Sequence, residues 1–555
     1  MITTPQPLRQ YYREQGFFAE RKLHDLLYQT AVQKPGAVAL VDPLNRQDLT
    51  GQDAVSLSYQ ELHDSIEQYS YGLMRAGLKK DDIVFVQLPN IVELVILYMA
   101  CSRLGAIVSP VPMQYQKHEL ADILPILQPK IVVSLNTFKG KDQSSPMWHA
   151  IEHCHLQLDE KPAHFTIGNG QAEHGEPFDR LLEEPIDETL WRQYLADYPA
   201  NADDIVTICW TSGTEGKPKG IPRSHNQWLT IGLATYEGNK LQDGEALLNP
   251  FPFINMASIG GLMMSWLYSA GKMVLHHPMD LAVFVQQLIS EDISYTLAPP
   301  PLLNNIIKHP EMLPPNTLAK VHTIGSGSAP LDAWMVEGFK QQHNIEIVNH
   351  FGSNEGVSMV CGPDDTQHPE QRARLFPISN KLLETRLANP ESCEIINEPG
   401  VSGELQIKGP AVFDGYYKAP QKTQQAFTTD GYFKTGDLFE IADADFYRFV
   451  GRCKDLIIRG GVNIAPAELD NLLGAHPAVE EAAAAGYPCD TMGERVAAFV
   501  VLKDDQELSL EALCEYLKER QIAMYKLPEK LVLLDAIPRN PLGKALRYKL
   551  SEMVS

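Results

Sequence analysis

The 555-residue chain has no Cys-x-x-Cys pair, and its eight cysteines (101, 154, 209, 361, 393, 453, 489 and 514) are scattered. That spacing argues against a zinc ribbon and a disulfide framework and fits a reducing compartment. No apolar run is long enough to cross a bilayer. The longest apolar region, 91–112, is broken by Glu93 and Arg103, so it reads as a core helix followed by a strand. The opening MITTPQPLRQYYREQG lacks a basic start followed by an apolar stretch, so no signal peptide is expected and a cytoplasmic location is. Basic side chains are also short in number, 47 against 70 acidic, giving a net charge of −23. A surface that acidic repels phosphate backbones and anionic lipid, which excludes nucleic acid and membrane surface as default partners. Tandem repeats and low-complexity tracts are missing too.

What is present is a globular composition, 44% hydrophobic and 21% charged, with length for more than one unit. Residues 82–88 read as a strand, 91–103 as a helix and 130–134 as a second strand. Repeated strand–helix units predict an α/β fold with parallel-rich sheets. The polar stretch 168–199 reads as surface structure. The last hundred residues differ: helix 466–473, strand 495–501, helix 508–520 and strand 530–534 predict a small α+β unit of its own. The boundary is placed at 453/454, giving a large domain 1–453 and a small one 454–555.

The chemistry-bearing segment is Thr211-Ser-Gly-Thr-Glu-Gly-Lys-Pro-Lys-Gly220, which follows a strand pattern over 204–210. Glycines let backbone N–H groups approach an anion, hydroxyls donate to phosphate oxygens and lysines supply charge. Lys217 is followed by Pro218, so this is not a Walker A loop, and Gly325-Ser-Gly-Ser-Ala-Pro330 is not a dinucleotide fingerprint. By composition alone the first loop is a surface hairpin. Its full pattern, straight after a strand, resembles the phosphate loop of the adenylate-forming superfamily: acyl-CoA synthetases, aryl-acid ligases, peptide-synthetase adenylation domains and luciferases.

The resemblance continues in order along the chain. It implies ATP contacts from Thr211, Ser212, Gly213, Thr214, Gly216 and Lys219. Ile324-Gly-Ser-Gly-Ser-Ala-Pro-Leu331 is similar to the adenine-side loop and brings in Ser328. His350-Phe-Gly-Ser-Asn-Glu355 is similar to the aromatic-Gly-x-Thr-Glu motif. There Phe351 would stack on adenine, Gly352, Ser353 and Asn354 would flank the nucleotide, and Glu355 would hold Mg²⁺. Asn354 stands where the family usually has Thr. Asp437 of Phe433-Lys-Thr-Gly-Asp437 would take the ribose hydroxyls, and Arg452 would contact ribose or phosphate. Lys454 occupies the hinge position about which a mobile C-terminal domain turns, and Gly460-Gly461 would form the thiol tunnel. Lys544 would reach both the substrate carboxylate and the α-phosphate. These residues imply an AMP-forming acid–thiol ligase.

The acid is less legible. Aligned on Pro250, Phe253 and Ile254 take the slots that guard the acid pocket, with Asn255 one position late. Gly325, Ser326 and Gly327 would complete it, their small side chains leaving room for a ring or chain. Phe253 and Ile254 favour a small apolar acid, fatty, aryl or alicyclic. Ile221-Pro-Arg-Ser-His-Asn226 resembles aryl-acid ligases instead, which keeps a carrier-protein-loading aryl-acid enzyme as the alternative. No Asp-Ser phosphopantetheine site follows Lys544, so the acceptor is expected in trans: coenzyme A, or the phosphopantetheine of a separate carrier protein. A luciferase-type oxygenase and a non-catalytic nucleotide-binding protein are the competing classes, and a homodimer is compatible with the pattern.

Overall fold

The apolar region 91–112 shows how the chain uses its hydrophobic segments. In a computed structural model of the protein it forms the helix Val92–Leu104 and the strand Ile107–Pro110. The helix has 13 residues, about 20 Å at 1.5 Å per residue, well short of a bilayer. Its charges sit at the ends with partners: Arg46 donates to Glu93 at 2.6 Å and Arg103 to Glu67 at 2.8 Å. Everything between packs into the core. Gly105 ends it in the left-handed conformation, φ 71°. Among the described residues no helix is long and apolar enough to cross a membrane.

The structure describes residues 1–555 except 171, 212–217, 329–330, 391, 444, 454–456, 465, 539–544 and 555; at 450–452, 463, 467, 471 and 548 it describes the backbone alone. Among them four large sheets organise the chain. In the eight-stranded sheet, the strands Glu346–Gly352, Thr323–Gly327, Tyr295–Leu297, Ala246–Asn249, Lys272–Leu275 and Val38–Val41 run parallel. Antiparallel strands, Ser358–Cys361 and Ser56–Ser58, close its two edges. The seven-stranded sheet is parallel from Ile205–Thr211 onwards, with Lys219–Ser224 antiparallel at its edge. A six-stranded antiparallel sheet carries Phe433–Asp443 and Phe446–Arg452. The parallel-rich α/β expectation holds for the large part of the chain. Within the polar stretch 168–199, the helix Glu188–Asp197 buries only Trp191, consistent with surface structure.

The fourth sheet begins at Ile457, after the third has ended at Arg452. It pairs Val462–Ile464, Ile457–Arg459, Gly493–Leu502 and Val479–Cys489, with Lys530–Leu533 parallel to Gly493–Leu502. Helices Pro466–Gly474 and Leu510–Glu519 cover it, and its buried side chains, Ile457 to Leu527, form a cluster of their own. This small unit docks on the large one through a buried cation. Lys526 donates to Glu468 of its own unit at 2.7 Å and to Glu119 of the helix Lys117–Leu127 at 3.4 Å. The same Glu119 oxygen accepts from the Ala523 N–H at 2.7 Å. Burial alone would lower the Lys526 pKa, but Glu468 and Glu119 outweigh it and hold the value above that of a free lysine.

Candidate active site

Open parallel sheets place ligands outside the carboxyl ends of their strands. Here the ends of Thr323–Gly327 and Glu346–Gly352 lie side by side, with Gly325 opposite Val348 and Gly327 opposite His350. A cavity of about 90 Å³ opens there. Its lining includes Gly325, Ser326, Gly327, Ser328, His350, Phe351 and Gly352 from these strand ends, together with Ile231, Phe251, Met256, Ala257 and Leu297. The candidate adenine-side residues and the candidate acid side thus share one space. Phe351 belongs to it while packing against Phe376, Phe439 and Phe449, ring centres 5.0–5.7 Å away. Burial pulls the His350 imidazole down to about 4, so it is neutral at pH 7. Asn239 donates its amide to Thr235 O, which turns Asn239 Oδ1 towards His350 Nε2 at 3.1 Å.

After Gly352 the chain makes a tight turn, with the Gly356 N–H on Ser353 O and the Ser353 N–H on Val357 O. Gly356 has φ 113°, and a Cβ there would lie 2.1 Å from Ala411 O and 2.7 Å from an Arg223 nitrogen. Only glycine fits this turn. Arg223, fully buried, holds it from behind: Nε donates to Asn354 O at 2.8 Å and Nη1 to Ala411 O at 2.6 Å. Burial lowers its pKa to about 10, which still leaves it charged. Glu355 O accepts from the Phe413 N–H at 2.9 Å, and Tyr416 Oη donates to Glu355 Oε1 at 3.3 Å. Lys219 Nζ lies 4.7 Å from the centre of the Tyr416 ring, so one tyrosine links the expected phosphate lysine to the expected metal carboxylate.

The side chain of Asn354 turns the other way. Its Oδ1 accepts from the Met256 N–H at 2.7 Å, which ties the turn to the acid-side segment. Ser353 Oγ is buried without a hydrogen-bond partner. Asp437 lies on the strand Phe433–Asp443 in register with Arg452. Gly460 and Gly461, both with positive φ (56° and 80°), form the tip between the strands Ile457–Arg459 and Val462–Ile464. Two left-handed residues in a two-residue connection make a type I′ hairpin turn, which glycine adopts without strain. Thr211 pairs with Lys219 at the head of the hairpin whose connection holds the glycine-rich loop. Ser212, Gly213, Thr214, Gly216, Lys454 and Lys544 lie outside the described residues, as does the side chain of Arg452.

The structure places the expected acid-side residues at different depths. Phe253 is completely buried away from the cavity, its N–H on Asn90 Oδ1 at 3.1 Å and its carbonyl accepting from Tyr98 at 2.7 Å. Ile254 is not a lining residue, and Asn255 caps the short helix Met256–Ser258 through the Ser258 N–H. The segment instead contributes Phe251, Met256 and Ala257. Gly325 and Gly327 do not simply leave room. A Cβ on Gly325 would lie 2.2 Å from a Leu297 methyl, and one on Gly327 2.1 Å from His350 O. Their bareness admits neighbouring strands and side chains. No individual role is expected from the sequence for Arg223, which stands in the 221–226 segment, or for Tyr416, Leu297 and Ile231. Their roles rest on partners far along the chain, and only the four-residue helical spacing of Ile231 and Thr235, both lining residues, carried a local signal.

The AMP-binding enzyme family model matches residues 27–417, and the model of its C-terminal domain matches 468–544. Triostin synthetase I of Streptomyces triostinicus is 29% identical over 98% of this chain and 96% of that protein. The medium-chain fatty-acid–CoA ligase of Escherichia coli (strain K12) is 27% identical over 99% of this chain and 93% of that protein. Among solved structures, a double mutant of o-succinylbenzoate CoA synthetase from Bacillus subtilis superposes with a TM-score of 0.78 at 23% identity, covering 96% of this chain and 99% of that one.

Proposed function

The chain belongs to the AMP-binding enzyme family, and from that premise we propose that it activates a small carboxylic acid with ATP and passes the acyl group to coenzyme A. The observation that carries this reading is the single cavity that joins an apolar wall to the strand ends leading into the Glu355 turn. The relatives named as CoA ligases support coenzyme A as the thiol.

A carboxylate is a poor electrophile because its charge is delocalised and it lacks a leaving group. Transfer of AMP supplies both needs: the carboxylate oxygen attacks the α-phosphorus and pyrophosphate leaves. Thiol sulfur then attacks the acyl carbon, AMP departs and the thiol proton goes to solvent. Negative charge gathers where two anions meet, so the enzyme's work is positioning and charge stabilisation. Lys544 neutralises that meeting point. Residues 211–220 cradle the outer phosphates, Asp437 and Arg452 hold the ribose end, and Ser353 offers a buried hydroxyl to the nucleotide. Among the described residues no cluster of three or more His, Cys, Asp or Glu could hold a metal alone. A lone carboxylate suits a hard oxygen-seeking cation: Glu355, with Tyr416 on one of its oxygens, would hold Mg²⁺, which would supply positive charge beside the phosphates. Turning about Lys454 exchanges Lys544 for the Gly460-Gly461 tip in the second half-reaction. A small, largely apolar acid is the reading that the cavity's apolar lining residues support. A cytoplasmic site of action is part of this proposal, supported by cysteines spaced as isolated thiols along the sequence.

The test is ATP–pyrophosphate exchange over a panel of fatty, aryl and alicyclic acids, followed by thioester formation with coenzyme A or a pantetheinylated carrier protein. Lys544→Ala should cost on the order of 10²–10³ in exchange and spare thioester formation from preformed adenylate. Lys454→Pro should do the reverse. Loss of the same half-reaction in both variants would sink the two-step reading, and transfer to the carrier protein alone would replace coenzyme A.

A further inference from the structure

Tyr295 sits on the strand Tyr295–Leu297, two residues before the cavity-lining Leu297, on the same face of the sheet. Two residues span about 7 Å of strand, so Tyr295 roots deeper in the parallel sheet than the residues at the cavity mouth. It is completely buried, and its hydroxyl has no hydrogen-bond partner. That hydroxyl lies 2.9 Å from where a Cβ on Gly325 would stand, and His350 Nε2 lies 2.9 Å from the same point. A Leu297 methyl lies 2.2 Å from it. Gly325, Leu297 and His350 are all cavity-lining residues and Tyr295 is not, so its hydroxyl stands one layer behind the cavity wall, against the bare Cα of Gly325 and screened by the Leu297 side chain. The His350 nitrogen at this point already faces Asn239 Oδ1 at 3.1 Å. Tyr295 is therefore the group there with an unused donor and unused lone pairs.

A buried hydroxyl without a partner is costly, and the cost disappears when a ligand supplies one. A phenylalanine would fill the same space without it. The geometry points to Tyr295 as a specificity-determining residue: its hydroxyl reads a hydrogen-bonding heteroatom, a hydroxyl or carbonyl oxygen, at the end of the acid remote from the carboxylate. This rests on the ligase reading above and refines its acid from apolar to apolar with a polar tip. For the tip to reach the hydroxyl, the Leu297 side chain that covers it has to turn aside, which is part of the proposal. The apolar walls set shape, and the tyrosine rejects acids that leave it unpaired.

The experiment measures kcat/KM in pyrophosphate exchange for matched pairs: 3- and 4-hydroxybenzoate against 3- and 4-methylbenzoate, and 6-hydroxyhexanoate against heptanoate. The wild-type enzyme should favour the hydroxy member of at least one pair by about tenfold or more, the scale of one unpaired buried polar group. Tyr295→Phe, which deletes one oxygen from the core, should abolish that ratio by lowering the hydroxy member's value. A merely structural role for Tyr295 would lower both members alike and leave the ratio standing. Preference for the methyl member in every pair, or a ratio untouched by Tyr295→Phe, overturns the assignment while the exchange activity itself upholds the ligase. Absence of exchange with every acid overturns the ligase reading and this one with it.

Discussion

The Glu355 turn and the acid cavity meet in one site, yet they are built differently. The turn is a contiguous run, 350–356, held by backbone bonds four residues apart or fewer, with Arg223 and Tyr416 bracing it from outside. The cavity is assembled from five separate stretches of chain between Ile231 and Met359, none of which encloses it alone. A contiguous turn presents chemistry through its own backbone and tolerates little change. A wall made of packed side chains can change size without touching the reacting groups. The two regions should therefore answer substitution differently: the turn through rate, the cavity through choice of acid.

The largest separation is expected from Glu355→Gln. The amide keeps the shape and can still accept from Tyr416, but it loses the charge that, in the proposed reading, would hold Mg²⁺. Exchange should fall on the order of 10²–10³ with every acid alike, the scale of one lost charge-stabilising group. An acid-dependent loss would mean that the turn and the cavity are not separate in function.

Arg223→Met comes next. The variant leaves the Asn354 and Ala411 carbonyls buried without their charged donor and should cost about 2–4 kcal/mol of stability, read as a lower unfolding midpoint. Arg223→Lys should not restore it, because one ammonium cannot reproduce a planar fork spanning two carbonyls. Full rescue by lysine would show that charge alone braces the turn.

Why one region was legible and the other was not follows from the same contrast. Phe351 and Gly352, expected from the sequence, fall among the cavity-lining residues, with Glu355 in the turn that follows, because their spacing is set by the turn they share. For Phe253 the sequence offers only a register counted from Pro250, and the side chain is buried outside the set of cavity-lining residues. Which way each following side chain points depends on Asn90 and Tyr98, some 155–163 residues earlier. Arg223 illustrates the same limit, since its carbonyl partners lie 131 and 188 residues away. Lys526 and Glu119, which join the two units, are 407 residues apart, and nothing local marks either. The α/β alternation and the separate C-terminal unit were readable because hydrophobic periodicity is a local property.

Ala257→Leu sharpens the cavity side of the comparison. Three added carbons entering a space of about 90 Å³ should raise KM for the larger acids by roughly tenfold and spare the shortest, the usual scale for a methylene or two in an apolar pocket. KM for ATP should hold. A rise in ATP KM of equal size would show that the adenine side and the acid side compete for the same volume.

The smallest effect tests whether the acid wall tolerates charge. His350 carries its proton at about 4 in the folded chain against about 6.5 when unfolded. Between those values the unfolded state binds the extra proton, so stability rises with pH through the window and is lost as pH falls from 6.5 towards 4. His225 and His277, each held down to about 3 by burial, and His164, held down to about 4, add to the same slope. His350→Asn should flatten the dependence of unfolding midpoint on pH by no more than one proton's share, leaving the part due to the other histidines held low by burial, His24 and His276 among them. Because His350 is a cavity residue and Glu355 is not, the same variant should also lessen any loss of acid binding near pH 4.5. A slope unchanged by His350→Asn would mean that the cavity gives the imidazole enough access to solvent to titrate as it does unfolded. The acid wall would then be wetter than its apolar lining implies.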